Sequence, residues 1–173
     1  MTPQSVDDIS RNQPDQFAVS LLVEESPSAN PWLDISWDPI GIMVDNRPFD
    51  GNRTERILIH EADGIQRYLQ RGFTLRLHVD ECESYYHNLL APNPSCYLVV
   101  TPSEQSVPQP LLVSLSFDEA HAYLEGEEDL YTLPMPPEIY LWTEAFVLAH
   151  YIPVKRSKRL RRDWRKSGQA EAQ

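Results

Sequence analysis

Glycine is scarce in this chain, and lysine is absent from its first 154 residues. Gly41, Gly51, Gly64, Gly72, Gly126 and Gly168 all stand alone, so neither GxGxxG nor a P-loop can be written. Without such a loop, a helix N-terminus has no close backbone approach to a pyrophosphate, which argues against dinucleotide binding by the usual route. The two cysteines, Cys82 and Cys96, are too few for a disulfide scaffold and form no CxxC pair. No apolar run approaches the roughly 20 residues needed to span a bilayer. The opening MTPQSVDDISRNQPDQ lacks the basic-then-apolar layout of a signal peptide. A soluble, cytoplasmic protein without membrane contact is expected. No GxSxG elbow or SxxK signature offers a nucleophile.

What is present is an apolar fraction of 41% in 173 residues, enough for one real core. Fifteen prolines point to stiff, extended connections. The net charge of −11 is unevenly spread. Residues 1–154 hold seven arginines against twenty-four acids, whereas 155–166 hold eight cations and only Asp163. The body is therefore at −17 and the block near the C-terminus at +7. A body this acidic repels nucleic acid. The expected organisation is a disordered arm over 1–15, a single domain over 16–153 and a basic, disordered tail over 154–173.

Hydrophobic periodicity predicts mostly strands. Phe17–Glu24 reads as the first, and Trp32–Trp37 begins a second that continues over Ile40–Asp45. Pro39 makes that segment an edge or a bulge, since proline lacks the donor a central ladder needs. Arg56–His60 is a short strand, and Ala62-Asp63-Gly64 is a hairpin turn leading into Ile65–Leu69. Arg71-Gly72 predicts another turn. Phe73, Leu75, Leu77 and Val79 then alternate with polar residues at a strict period of two. Asp80–Leu90 fits either a short helix or a bent strand; the extended reading, with Tyr85, His87 and Leu89 on one face, is preferred. Cys96–Val100 and Leu111–Leu115 complete the strands.

Two helices follow. Ser116 and Glu119 fit a capping box, with Gly126 ending the helix. Pro136 and Pro137 suit the entry of the second, and Pro153 stops it. Ile139, Trp142, Phe146 and Ala149 share one face of that helix, with Tyr140, Thr143 and Glu144 largely on the other. The fold class is α+β: a mostly antiparallel sheet or partly closed barrel closed by two C-terminal helices.

Candidate chemistry is thin. His78, Asp80, Glu81, Cys82, Glu83 and His87 are competent ligand types, but their spacing matches no zinc pattern, so a solvated acidic turn is expected and no metal or cofactor site is assigned. Acids around Cys82 disfavour its thiolate, and Cys96 reads as buried and inert. Glu127, Glu128 and Asp129 read as a wet loop. No catalytic residue is assigned.

The basic block is the sharpest signal. Lys155, Arg156, Lys158, Arg159, Arg161, Arg162, Arg165 and Lys166 are interrupted by Leu160 and Trp164, four residues apart. Such a block can dock an acidic protein with Trp164 as anchor, bind nucleic-acid phosphates, fold back on its own body, or merely solubilise. These nine residues, with Trp164 and without Leu160, are the candidate partner-binding set.

PWLDISW (Pro31–Trp37), DECESYYHNL (Asp80–Leu89) ahead of SCYLVV (Ser95–Val100), SFDEAHAYLEGEE (Ser116–Glu128) and LPMPPEIYLWTEAFVLAHYIP (Leu133–Pro153) carry a resemblance. Together they resemble a proteobacterial family whose genes tend to lie beside molybdenum-dependent formate dehydrogenase genes. Its members are sometimes labelled molybdopterin-guanine dinucleotide biosynthesis proteins. The resemblance implies a protein partner: a formate dehydrogenase subunit or its maturation machinery. The expectation is a non-catalytic accessory or assembly factor acting by protein contact. The alternatives are a nucleic-acid-binding regulator using the basic tail, or an enzyme of molybdenum cofactor biosynthesis.

Overall fold

The structure, a computed structural model, describes residues 14–46, 54–103 and 107–153. Seven strands and three helices run in the order β1 (Gln16–Pro27), β2 (Ile35–Val44), β3 (Glu55–Ala62), β4 (Ile65–Arg76), α1 (Cys82–Leu89), β5 (Ser95–Thr101), β6 (Gln109–Ser114), α2 (Phe117–Tyr123), β7 (Asp129–Pro134) and α3 (Pro137–His150). The strands form two open antiparallel sheets, ordered β2-β1-β4-β3 and β6-β5-β7. The fold is thus α+β, with no closed barrel among the described residues.

Alternation builds the first sheet. Val19, Leu21 and Val23 of β1 point to one face, in register with Phe73 of β4 and Val44 and Ile42 of β2. The inner strand of the second sheet, β5, supplies Cys96, Leu98 and Val100 to the same core. The sheets meet where β2 approaches β7, with the Trp37 ring edge-on to Tyr131 at 5.9 Å. Helices α1 and α3 pack on one another and add Tyr85, Ile139, Trp142 and Phe146. Pro14 and Asp15 already belong to this body: the Pro14 carbonyl accepts from Trp142 Nε1 at 2.6 Å, and that of Asp15 from Leu77 N–H at 2.8 Å.

Bulges explain several departures from simple alternation. Pro39 sits on edge strand β2, and the register slips beside it so that Ile40 is the extra residue. The turn expected at Arg71-Gly72 is instead a bulge opposite Ser20, with Gly72 at φ 104, and β4 runs straight through it. A left-handed glycine lets the ladder absorb an extra residue without reversing. The hairpin at Asp63-Gly64 is as expected, both residues having positive φ (52 and 79) as a tight primed turn requires.

The extended reading of Asp80–Leu90 is corrected. A 3-10 turn over Val79–Glu81 leads into α1, and Cys82, Tyr85 and Leu89 are buried at helical spacing while His87 is exposed. There are therefore three helices rather than two. The carboxylates expected in a loop after Gly126 also divide: Asp129 opens β7, which pairs with β5. Helix α2 ends at Tyr123, a 3-10 turn runs to Gly126, and Glu127 rather than Gly126 takes the left-handed position.

Candidate docking surface

Helix α3 is apolar almost all round, with Glu138, Glu144 and His150 as its only acidic or basic residues. Its inner face buries Ile139, Trp142, Phe146 and Val147. Trp142 stacks at a tilt on Phe17, ring centroids 4.8 Å apart. Two facial assignments are corrected. Thr143 is fully buried, which its hydroxyl tolerates by donating to the Ile139 carbonyl at 2.7 Å. Ala149 is exposed, because the core side of the helix ends at Val147.

The outer face is the unusual one. Leu141 is 63% exposed, Leu148 78% and Ile152, just beyond the helix, 86%. With Ala145 between them, Leu141 and Leu148 recur at steps of four and three, which puts them on one stripe, whereas Ile152 follows an extended Tyr151 and lies past its end. A helix apolar on both sides is ordinarily covered on both sides. Here the second cover is not part of the described chain. Leu90, the residue after α1 (65% exposed), lies one turn from Tyr86, whose ring is 5.4 Å from that of Tyr151 after α3. Tyr86 and Tyr151 thus meet at the α1–α3 seam.

The basic block begins three residues after Ile152. Lys155, Arg156, Lys158, Arg159, Arg161, Arg162, Trp164, Arg165 and Lys166 all lie outside the described residues.

The polar cluster of residues 78–87 is dispersed by α1. The Glu81 carboxylate accepts from Ser116 Oγ at 2.5 Å, tying the entry of α1 to the cap of α2. Glu83 and His87 face one another across one helical turn at 3.9 Å and are exposed. Cys82 is buried with its sulfur 4.0 Å from the His78 carbonyl; burial and then Asp80 push its thiol pKa up. Burial pushes the Cys96 thiol up to about 12. Both are poor nucleophiles. No group of three ligand-type residues that could hold a metal occurs among the described residues. An open cleft of about 330 Å³ lies between α1 and α2, lined by Ser84, His87, Asn88, Tyr97, Phe117 and Asp118. Asn88 within it is committed to the backbone, donating to the Ser95 and Leu115 carbonyls and accepting from Ser95 N–H.

The capping box at Ser116 is half as expected. Ser116 Oγ accepts from Glu119 N–H at 3.0 Å. The Glu119 carboxylate accepts from Ser114 Oγ instead of the Ser116 N–H, which donates to Ser114 Oγ. Sequence reasoning missed two exposed features: the outer stripe of α3 and Trp32, 88% exposed at the β1–β2 loop. The signal for the first lay in the helix itself, which has too few polar residues to face water on any side.

The surface defines an α+β domain with an uncovered apolar helix face leading into a basic segment. Residues 18–161 match the family described as Protein of unknown function (DUF3305), and the chain belongs to that family. The match runs through α3 and into the basic block as far as Arg161. No curated protein and no solved structure matches the chain. No helix among the described residues is long and apolar enough to cross a membrane.

Proposed function

We propose that this protein is a non-catalytic accessory or assembly factor that works in the cytoplasm by protein-protein contact. The observation that carries the reading is the outer stripe of α3, where Leu141 and Leu148 stand in water, with Ile152 exposed just past the helix and a +7 segment following in sequence. Contiguous exposed apolar surface rimmed by charge is the mark of an interaction site. Burying each such side chain contributes up to about 1.5–3 kcal/mol, and the cations add long-range steering toward an acidic partner. The client is a molybdenum-dependent formate dehydrogenase or a related redox complex, as the sequence resemblance implies. The test is co-purification of that enzyme with tagged full-length protein from the native host. Loss of capture in Leu141→Glu/Leu148→Glu, with the fold intact by circular dichroism, supports the reading. Normal formate dehydrogenase activity in a deletion strain refutes the choice of client.

The +7 segment also favours a second reading, a nucleic-acid-binding regulator acting through the tail. That reading requires retardation of DNA or RNA at low salt, falling steeply as salt rises. Against it stands the −17 carried by residues 1–154.

A further inference from the structure

The seven arginines that precede the basic block all lie in the first 76 residues, and no lysine or arginine occurs between Leu77 and Val154. That second part of the chain carries twelve acids, from Asp80 to Glu144, with histidines as its only basic side chains. It builds α1, the sheet β6-β5-β7, α2 and α3. One part of the fold is thus uniformly acidic, and the open cleft of about 330 Å³ between α1 and α2 lies within it.

The walls of this cleft are fixed by the protein's own bonds. Ser84 Oγ of α1 is 3.1 Å from Ser116 Oγ, the cap of α2, and Asn88 ties the same helix to Ser95 and Leu115. Phe117 is 47% exposed yet held by two neighbours, its ring centroid 5.7 Å from that of Tyr97 and 3.9 Å from that of His121. A half-exposed ring held this way offers aromatic surface with little ordering left to lose. Beside it, the exposed Asp118 carboxylate makes no hydrogen bond or ion pair among the described residues. Glu83 adds a second exposed carboxylate, 3.9 Å from Nε2 of the lining His87.

These features select a ligand by its chemistry. Phosphates and carboxylates are repelled, because no lysine or arginine lines the cleft and the surrounding charge is negative. A metal ion lacks its shell, since no group of three ligand-type residues occurs among the described residues. A neutral apolar group gains nothing from Asp118. An organic cation uses both features, attracted by the ring faces and paired with the carboxylate. A planar guanidinium does so better than an ammonium: it stacks on an aromatic face and offers a carboxylate two parallel N–H donors. The volume is at the small end of the roughly 300–1,000 Å³ of ligand pockets, which suits one long side chain.

We propose that this cleft binds the guanidinium group of an arginine, set against the rings of Phe117 and Tyr97 and paired with Asp118. No residue of α3 lines the cleft, so the site is separate from the docking stripe and stands whether or not that reading holds.

Amide NMR titration of the isotope-labelled full chain with Nα-acetyl-arginine amide tests it. Saturable shifts are expected at residues 84–91, 97 and 117–121, in the millimolar range of a single side-chain contact, with the first sheet unmoved. Nα-acetyl-citrulline amide, of the same length but uncharged, gives none. Asp118→Asn weakens binding about fivefold and Phe117→Ala about fivefold or more. Both positions are exposed, so both variants keep the circular dichroism of the wild type. Glu144→Gln removes the same charge as Asp118→Asn but lies outside the cleft, and leaves binding unchanged. Tighter binding of the blocked than of the free amino acid assigns the guanidinium to an arginine within a chain; the reverse assigns it to free arginine, and either supports the site. Absence of localised shifts in the millimolar range overturns the proposal. So do equal shifts with the citrulline probe, or an equal loss in Glu144→Gln, which would reduce the effect to bulk charge.

Discussion

Replacing Asn88 by alanine is expected to cost about 2–4 kcal/mol of stability. The side chain is 6% exposed and makes three hydrogen bonds of 2.8–2.9 Å. Two come from its amide to the carbonyls of Ser95 and Leu115, and one goes to its oxygen from Ser95 N–H. It therefore pins α1 to the first residue of β5 and to the residue just after β6 at once. Each bond contributes a net ~0.5–1.5 kcal/mol, and the partners left behind in a buried site cannot all recover water. With a urea slope of about 2 kcal/mol/M, the unfolding midpoint falls by roughly 1–2 M. The assay is urea denaturation followed by circular dichroism at 222 nm. Ser95→Ala is the control: Ser95 uses its backbone here, and its own hydroxyl only reaches the Asn93 carbonyl in an exposed turn, so its change stays within about 0.5 kcal/mol. Asn88→Asp sharpens the test, because a carboxylate would face two carbonyl oxygens. Its cost at neutral pH matches or exceeds that of alanine, and part of it is recovered on acidification, when the carboxyl can donate once. A cost below about 1 kcal/mol for Asn88→Ala, or an equal loss in Ser95→Ala, refutes this account of how α1 is held.

Three further outcomes are expected. Trp142→Ala removes a ring that is 8% exposed, its contact with Phe17 and the donor to Pro14, and costs about 3–5 kcal/mol by thermal or chemical unfolding, with Trp142→Phe recovering part. The Cys96 thiol, raised by burial to about 12 from an ordinary 9.0, ionises in the unfolded chain first, so its contribution is complete below pH 9 and is lost as pH rises toward 12; Cys96→Ala flattens that alkaline slope in urea midpoints measured from pH 8 to 10.5. Gly64→Ala places a side chain at φ 79 and costs about 1 kcal/mol, with no penalty from crowding since its nearest neighbour would be Pro27 Cγ at 3.5 Å.

Much of the sheet was legible because its causes are local. Asp63-Gly64 specifies a primed turn, Pro39 cannot occupy a central ladder, and Phe73, Leu75 and Leu77 alternate without interruption. The misreadings arise where a tertiary partner decides. Tyr85 and Leu89 suit a strand face with His87 or a helix face with Cys82, and burial of Cys82 beneath the His78 carbonyl selects the helix. Strand β7 is screened in sequence by Glu127, Glu128 and Asp129, and exists because β5 offers it a full antiparallel register. Thr143 is polar by composition but buried because a helix supplies its own acceptor four residues back. The docking surface was half legible. Its charge is written in residues 155–166, and the inner face of α3 in Ile139, Trp142 and Phe146, whereas the exposure of Leu141 and Leu148 depends on what packs against the opposite face.

We propose that α3 and the segment after it are covered by another protein. Titration calorimetry of the full chain into purified formate dehydrogenase from the native host tests it most directly, in wild type and in Leu141→Glu/Leu148→Glu. Binding is expected to weaken with salt and to fall at least about tenfold in the variant. Equal affinity in both proteins, or no heat with the wild type at low salt, contradicts it.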